Sequence, residues 1–148
     1  MCPICQRQGE AREPDPHRDA VTVSCQRCGS FKITRQAEIW IAQPRSLEEE
    51  QRFRLIWAAR QASDLGHGLV LLQDEVNRAI ESIVEPRPPV RKIDLLVRSI
   101  GDRTRSFGER IPFHPDAEWP RVFARDRAEF DQLTAAAHEL GLIVFGPQ

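Results

Sequence analysis

Four cysteines fall within the first 28 residues as two pairs of identical spacing, Cys2-Pro3-Ile4-Cys5 and Cys25-Gln26-Arg27-Cys28. Two cysteines separated by two residues can turn both sulfurs toward one point, and two such knuckles supply the four soft donors that a tetrahedral ion takes. The spacing therefore predicts one structural Zn²⁺ held by Cys2, Cys5, Cys25 and Cys28. Four protein ligands saturate the ion and leave no position for water, so it would staple the chain and not act as a Lewis acid. The rival chemistries of this pattern are a redox-active Cys-x-x-Cys pair and a four-cysteine iron-sulfur centre. His17, between the knuckles, is the one residue there that could replace a cysteine, but four thiols already complete the set.

No second constellation carries chemistry. His67 lies between two glycines, His114 stands beside Asp116 across one proline, and His138 precedes Glu139, yet none has a nucleophile at a useful spacing. Gly66-His67-Gly68 reads as a helix stop and not as a phosphate loop. No catalytic residue is assigned, and the chain is not expected to be an enzyme.

The elements that must position the sulfurs follow from the hydropathy pattern. Residues 1–36 are expected to form a zinc ribbon with a treble of short strands. Two of these can be placed, because Ala20 to Ser24 and Ser30 to Thr34 alternate apolar and polar residues on either side of a turn from Cys25 to Gly29. From Thr34 the period lengthens to a helix with Ala37, Trp40 and Ile41 on one side, stopped by Pro44. Ser46 with Glu49 reads as a capping box opening a helix to about Leu65, with Phe53, Ile56 and Trp57 inward.

Further helices are expected over Leu69 to Val84, with Leu72, Val76, Ile80 and Ile83 inward, over Val90 to Ile100, and over Arg125 to Leu140, with Phe130, Leu133, Ala137 and Leu140 inward; a proline-rich joint lies at 86–89 and an irregular stretch at 102–120. The apolar run Leu142-Ile143-Val144-Phe145 reads as a strand that needs a partner from this chain or another. The fold class expected is α+β and mostly helical: a four-cysteine zinc ribbon over 1–36, then a helical, winged-helix-like domain over 37–148.

Charge bears on partners. The net charge is −1, so no general field draws the chain to nucleic acid or anionic lipid. By segment the net charge is +2 over 1–36, −4 over 37–85, +4 over 86–127 and −3 over 128–148. A nucleic-acid surface, as the alternative reading, would use Arg27, Lys32 and Arg35 of the ribbon with Arg91, Lys92, Arg98, Arg103 and Arg105 beyond it. Against that stand the acidic Glu129, Asp131 and Glu139 of the last helix and the lack of any tyrosine for stacking on bases. No apolar run approaches the roughly 18 residues of a membrane span. The N-terminus lacks the charged and apolar stretches of a secretory signal, so a reducing, cytoplasmic setting without disulfides is expected.

Cys2-Pro3-Ile4-Cys5, the run Cys28-Gly29-Ser30-Phe31-Lys32-Ile33-Thr34, the segment Lys92-Ile93-Asp94-Leu95-Leu96 after the proline-rich joint, and the closing Glu129-Phe130 and Gly141-Leu142-Ile143 together carry a resemblance. The chain resembles the N-terminal zinc-ribbon and helical region of bacterial proteins with a TIR-like or nucleoside-deoxyribosyltransferase-like effector domain further on. In those proteins the Gly-Leu-Ile strand is similar to the first strand of a winged-helix hairpin, and the catalytic domain follows it. The resemblance implies that this chain, ending at Gln148, is the sensing or oligomerising part of an anti-phage system. The reading is thus a non-catalytic recognition module with a protein partner or self-association; the alternative is a DNA-binding transcriptional regulator using the arginine-rich 87–127 region.

Overall fold

The computed structural model describes residues 1–43, 46–106 and 109–146. The chain divides into two compact units, Met1–Val84 and Glu85–Gln148. The break lies beside the expected joint at 86–89, whereas the border expected at 36/37 runs through the interior of unit 1. A ribbon of 36 residues has too little apolar surface to close a core by itself. Here it shares one with the helices that follow.

Unit 1 is a four-stranded sheet in the order β1-β2-β3-β4. Its elements run β1 (Ala11–Pro14), β2 (Ala20–Cys25), β3 (Gly29–Thr34), α1 (Arg35–Ala42), α2 (Glu49–Asp64), β4 (Leu69–Leu71) and α3 (Val76–Glu81). The expected hairpin is β2 with β3, antiparallel, with Val23 opposite Phe31 and Val21 opposite Ile33. Val23, Phe31 and Ile33 are fully buried. Each such side chain removed from water contributes about 1.5–3 kcal/mol. With Ile4, Ala37, Ile41, Leu55, Ile56, Ala59, Leu71, Val76 and Ile80 they form one core with the cysteines.

Two strands differ from expectation. The third strand of the treble, β1, pairs antiparallel with β2, yet all four of its residues are exposed, so no alternation marks it. Leu69–Leu71 is a strand and not the first turn of a helix; it pairs parallel with β3, Leu69 opposite Phe31 and Leu71 opposite Ile33. Parallel pairing requires a crossover, and α1 and α2 supply it. The helix expected over Leu69 to Val84 is thereby reduced to α3, and Leu72, expected inward, is an exposed residue.

Thr34 caps α1, its Oγ1 accepting from the Ala37 amide at 3.3 Å. The stop expected at Pro44 lies outside the described residues. The capping box of α2 sits two residues later than expected, on Glu48 and Gln51. Ser46 instead donates its hydroxyl to the Ile41 and Gln43 carbonyls, each at 2.9 Å, and so ties off the end of α1.

Unit 2 holds α4 (Val90–Gly101), α5 (Pro115–Glu118) and α6 (Arg127–Glu139). Leu96, Trp119, Val122, Phe123, Phe130, Leu133 and Ala137 are buried, and the Phe113 and Phe130 rings stack at 5.5 Å. The 102–120 stretch is therefore partly helical and contributes Trp119 to the core. Buried charges lock the unit: Lys92 reaches Glu129 at 2.6 Å and Glu85 at 3.2 Å. Glu118, only 2% exposed, accepts two bonds from Arg103, at 2.6 and 2.8 Å, and one from Arg121 at 3.1 Å. Burial acts to raise the Glu85 carboxyl, but Lys92 and Arg125 outweigh it and hold the group below its ordinary value.

Leu142 to Phe145 is not a strand. Gly141 ends α6 in the left-handed region at φ +70°, and the chain turns back so that His138 Nδ1 lies 3.0 Å from the Ile143 carbonyl. No strand is present in unit 2 among the described residues, so the segment has no partner strand there, and the unit is a helical region without a winged-helix hairpin among those residues. Leu140, expected inward, is 63% exposed.

Candidate metal centre

The first knuckle is a turn closed by the Gln6 amide on the Cys2 carbonyl at 2.9 Å, with Cys2 donating its own amide to the Arg7 carbonyl at 2.7 Å. The second is the β2–β3 turn, where Cys25 pairs with Gly29. Both knuckles need a left-handed residue after their second cysteine, Gln6 at φ +59° and Gly29 at φ +76°. This conformation lets the chain leave the turn while both sulfurs stay on its inner side.

The four sulfurs lie within 4.8 Å of one another. Cys2 and Cys28 Sγ are 3.9 Å apart, and Cys5 and Cys25 Sγ are 3.5 Å apart. A tetrahedral ion with bonds of about 2.3 Å sets its sulfurs about 3.8 Å from each other, so these separations bracket the required edge. All four residues are buried and none is in a disulfide. The donor set, four convergent thiols shut away from solvent, fits a structural metal ion.

One helix grips both knuckles. Arg52 Nη1 donates to the Ile4 carbonyl at 2.8 Å and to the Pro3 carbonyl at 3.4 Å. Two turns on, Arg60 Nε donates to the Arg27 carbonyl at 2.9 Å and its Nη2 to the Gln26 carbonyl. Ser63 Oγ accepts from the Ser30 amide at 2.9 Å. Residues 52, 56, 60 and 63 share one helical face, so α2 meets the knuckles with two guanidinium groups around the apolar Ile56. Four thiolates and a divalent ion carry a net −2, and the two arginines place positive charge beside the backbone that holds them. Arg52, Arg60 and Ser63 were not foreseen as site residues. The available signal was Arg60, a cation following Trp57, Ala58 and Ala59 on a buried stripe.

Without an ion the thiols share their protons unequally. The contact with Cys2 lowers Cys25 and brings Cys5 down to about 7, while contacts with Cys25 and Cys2 respectively raise Cys2 and Cys28. Metal entry must expel the protons that remain, so acid competes with the ion. Affinity is expected to fall steadily from about pH 8 to about pH 6, and the fall should be steeper than one proton per ion. Competition against a chromogenic chelator across that range measures it; a pH-independent affinity would rule out four-thiolate ligation.

His17 lies outside the sulfur cluster, in an exposed turn where its amide meets Asp15 Oδ1 at 3.0 Å. His67 follows the helix stop at Gly66, His114 precedes α5, and His138 is on α6. The basic residues are divided between the units. Arg27, Lys32 and Arg35 belong to unit 1, where Lys32 pairs with Asp15 at 3.1 Å. In unit 2, Lys92 and Arg103 are engaged by Glu85, Glu129 and Glu118, while Arg91, Arg98 and Arg105 are not among the buried residues. No helix among the described residues is long and apolar enough to cross a membrane. No protein-family model, curated protein or solved structure matches the chain.

Proposed function

We propose that the protein is a non-catalytic recognition module stapled by one structural Zn²⁺, serving as the regulatory or sensing part of a bacterial anti-phage effector system. The observation that carries it is the closed sulfur cluster: four buried thiols at tetrahedral separation, with both knuckles anchored to α2. Such a site gives rigidity to a surface and offers no position for substrate. The anti-phage assignment is supported by the resemblance of the ribbon and the 92–96 and 141–143 segments to effector-bearing proteins.

The DNA-binding alternative has less support, because Lys32, Lys92 and Arg103 are held in ion pairs and would have to exchange carboxylate for phosphate. Light scattering on the zinc-loaded chain, alone and with candidate effector proteins, is expected to show self-association or a complex. A strictly monomeric, partnerless species that retained duplex DNA with steep salt dependence would replace this reading with the alternative.

A further inference from the structure

Unit 1 has a second feature at the end of β3 remote from the sulfurs. A cleft of about 670 Å³ is lined by Asp19, Thr34, Gln36, Trp40, Leu72, Gln73, Asp74 and Asn77. It opens at the carboxyl ends of the parallel pair β3 and β4, where the chain leaves one strand into α1 and the other toward α3. In open α/β sheets ligands bind outside the carboxyl ends of parallel strands, and β3 with β4 is the one parallel pair of this otherwise antiparallel sheet. The two strand ends are tied together, since Thr34 Oγ1 lies 3.4 Å from the Leu71 carbonyl as a donor.

The chemistry of the lining is one-sided. It holds two carboxylates, three carboxamides and an indole, and no Lys, Arg or His. Asp19 and Asp74 have no ion pair among the described residues and are exposed. Two unneutralised carboxylates repel phosphate-bearing ligands and attract a cation, which an indole also favours. Carboxamide oxygens add neutral acceptors for N–H donors.

We propose that this cleft binds a guanidinium or alkylammonium group, with Asp19 and Asp74 supplying charge and Trp40 a ring surface. This deepens the recognition-module reading and rests on it for the source of the cation, which would be a basic side chain of a partner polypeptide.

The test is titration of the zinc-loaded full chain with amidated tri-arginine peptide, followed through backbone amide shifts. Parallel arms use spermidine, tri-glutamate peptide and a nucleoside triphosphate. The expected result is movement of Thr34, Gln36 and residues 72–77 by the peptide and not by the two anions. Affinity should fall as salt rises in the parent chain, and drop about tenfold with a flatter salt dependence in the Asp19→Asn/Asp74→Asn variant. Trp40→Phe, which keeps a ring in the core, should weaken binding less than the double variant.

Peptide shifts elsewhere, or binding indifferent to both carboxylates in a variant that retains its zinc, would overturn the cleft. So would nucleotide bound at these residues as tightly as peptide. If the double variant ignores the peptide yet still self-associates or holds its protein partner, partner docking at the cleft is overturned and the recognition module stands. Spermidine held much more tightly than peptide, through the same carboxylates, keeps the cation site and removes protein recognition as its purpose.

Discussion

Removing the ion with a strong chelator under reducing conditions is expected to unfold unit 1 and leave the helices of unit 2 folded. The apparent binding free energy of a structural zinc site is about 10–16 kcal/mol. A small domain is stable by only about 5–15 kcal/mol in total. The ion's contribution is thus on the scale of the domain's whole stability, and the core formed by Val23, Phe31, Ile33 and α2 is expected not to hold without it. Cys2 and Cys28, both fully buried, share a core with Phe31 and Leu55, and releasing them opens that core. Cys28→Ser should act like the chelator. Amide exchange reads both units at once: protection in β2, β3 and α2 should vanish while that in α4 and α6 persists. Full protection of β3 in metal-free protein would show that the sulfurs merely decorate a fold that stands without them.

Gly29→Ala is expected to destabilise unit 1 by about 3 kcal/mol, although it adds a single methyl group. The position is left-handed at φ +76°, which costs a side chain about 1–2 kcal/mol. A Cβ there would also fall on the Ser63 Cβ and lie 2.5 Å from its Oγ. Neither partner can retreat, because Gly29 follows a ligand and Ser63 is held on α2 by its bond from the Ser30 amide. A double-mutant cycle with Ser63→Gly by chemical denaturation, which subtracts that variant's own cost from the lost Ser30 bond and the helical glycine, should recover the overlap but not the backbone part. Gln6 provides the comparison: it is equally left-handed but exposed, so Gln6→Gly should not destabilise. A Gly29→Ala protein as stable as the parent would mean that the helix does not press on the second knuckle.

What could be read from residues alone was whatever is local. The cysteine spacing names the ligand set because each knuckle is four residues long, and the β2–β3 hairpin shows in the alternation of Val21, Val23, Phe31 and Ile33. β1 could not be seen, because Ala-Arg-Glu-Pro has no apolar face and is a strand only through its pairing with β2. Leu69-Val70-Leu71-Leu72 suits helix and strand alike, and the exposed ladder of β3 decided between them. Leu142 to Phe145 erred in the opposite direction, since its composition favours a strand but unit 2 offers no edge to receive it. Arg52 and Arg60 are invisible as site residues in one dimension, because the carbonyls they serve lie more than thirty positions away.

That separation along the chain orders events during synthesis. All four sulfurs are present once Cys28 has emerged, whereas the helix that braces them is complete only with Asp64 and the sheet only with Leu71. A nascent chain is thus able to capture its ion well before its brace exists, and domains form progressively as the ribosome delivers them. Ion capture can therefore come first and folding of the helices and sheet onto the loaded knuckles second.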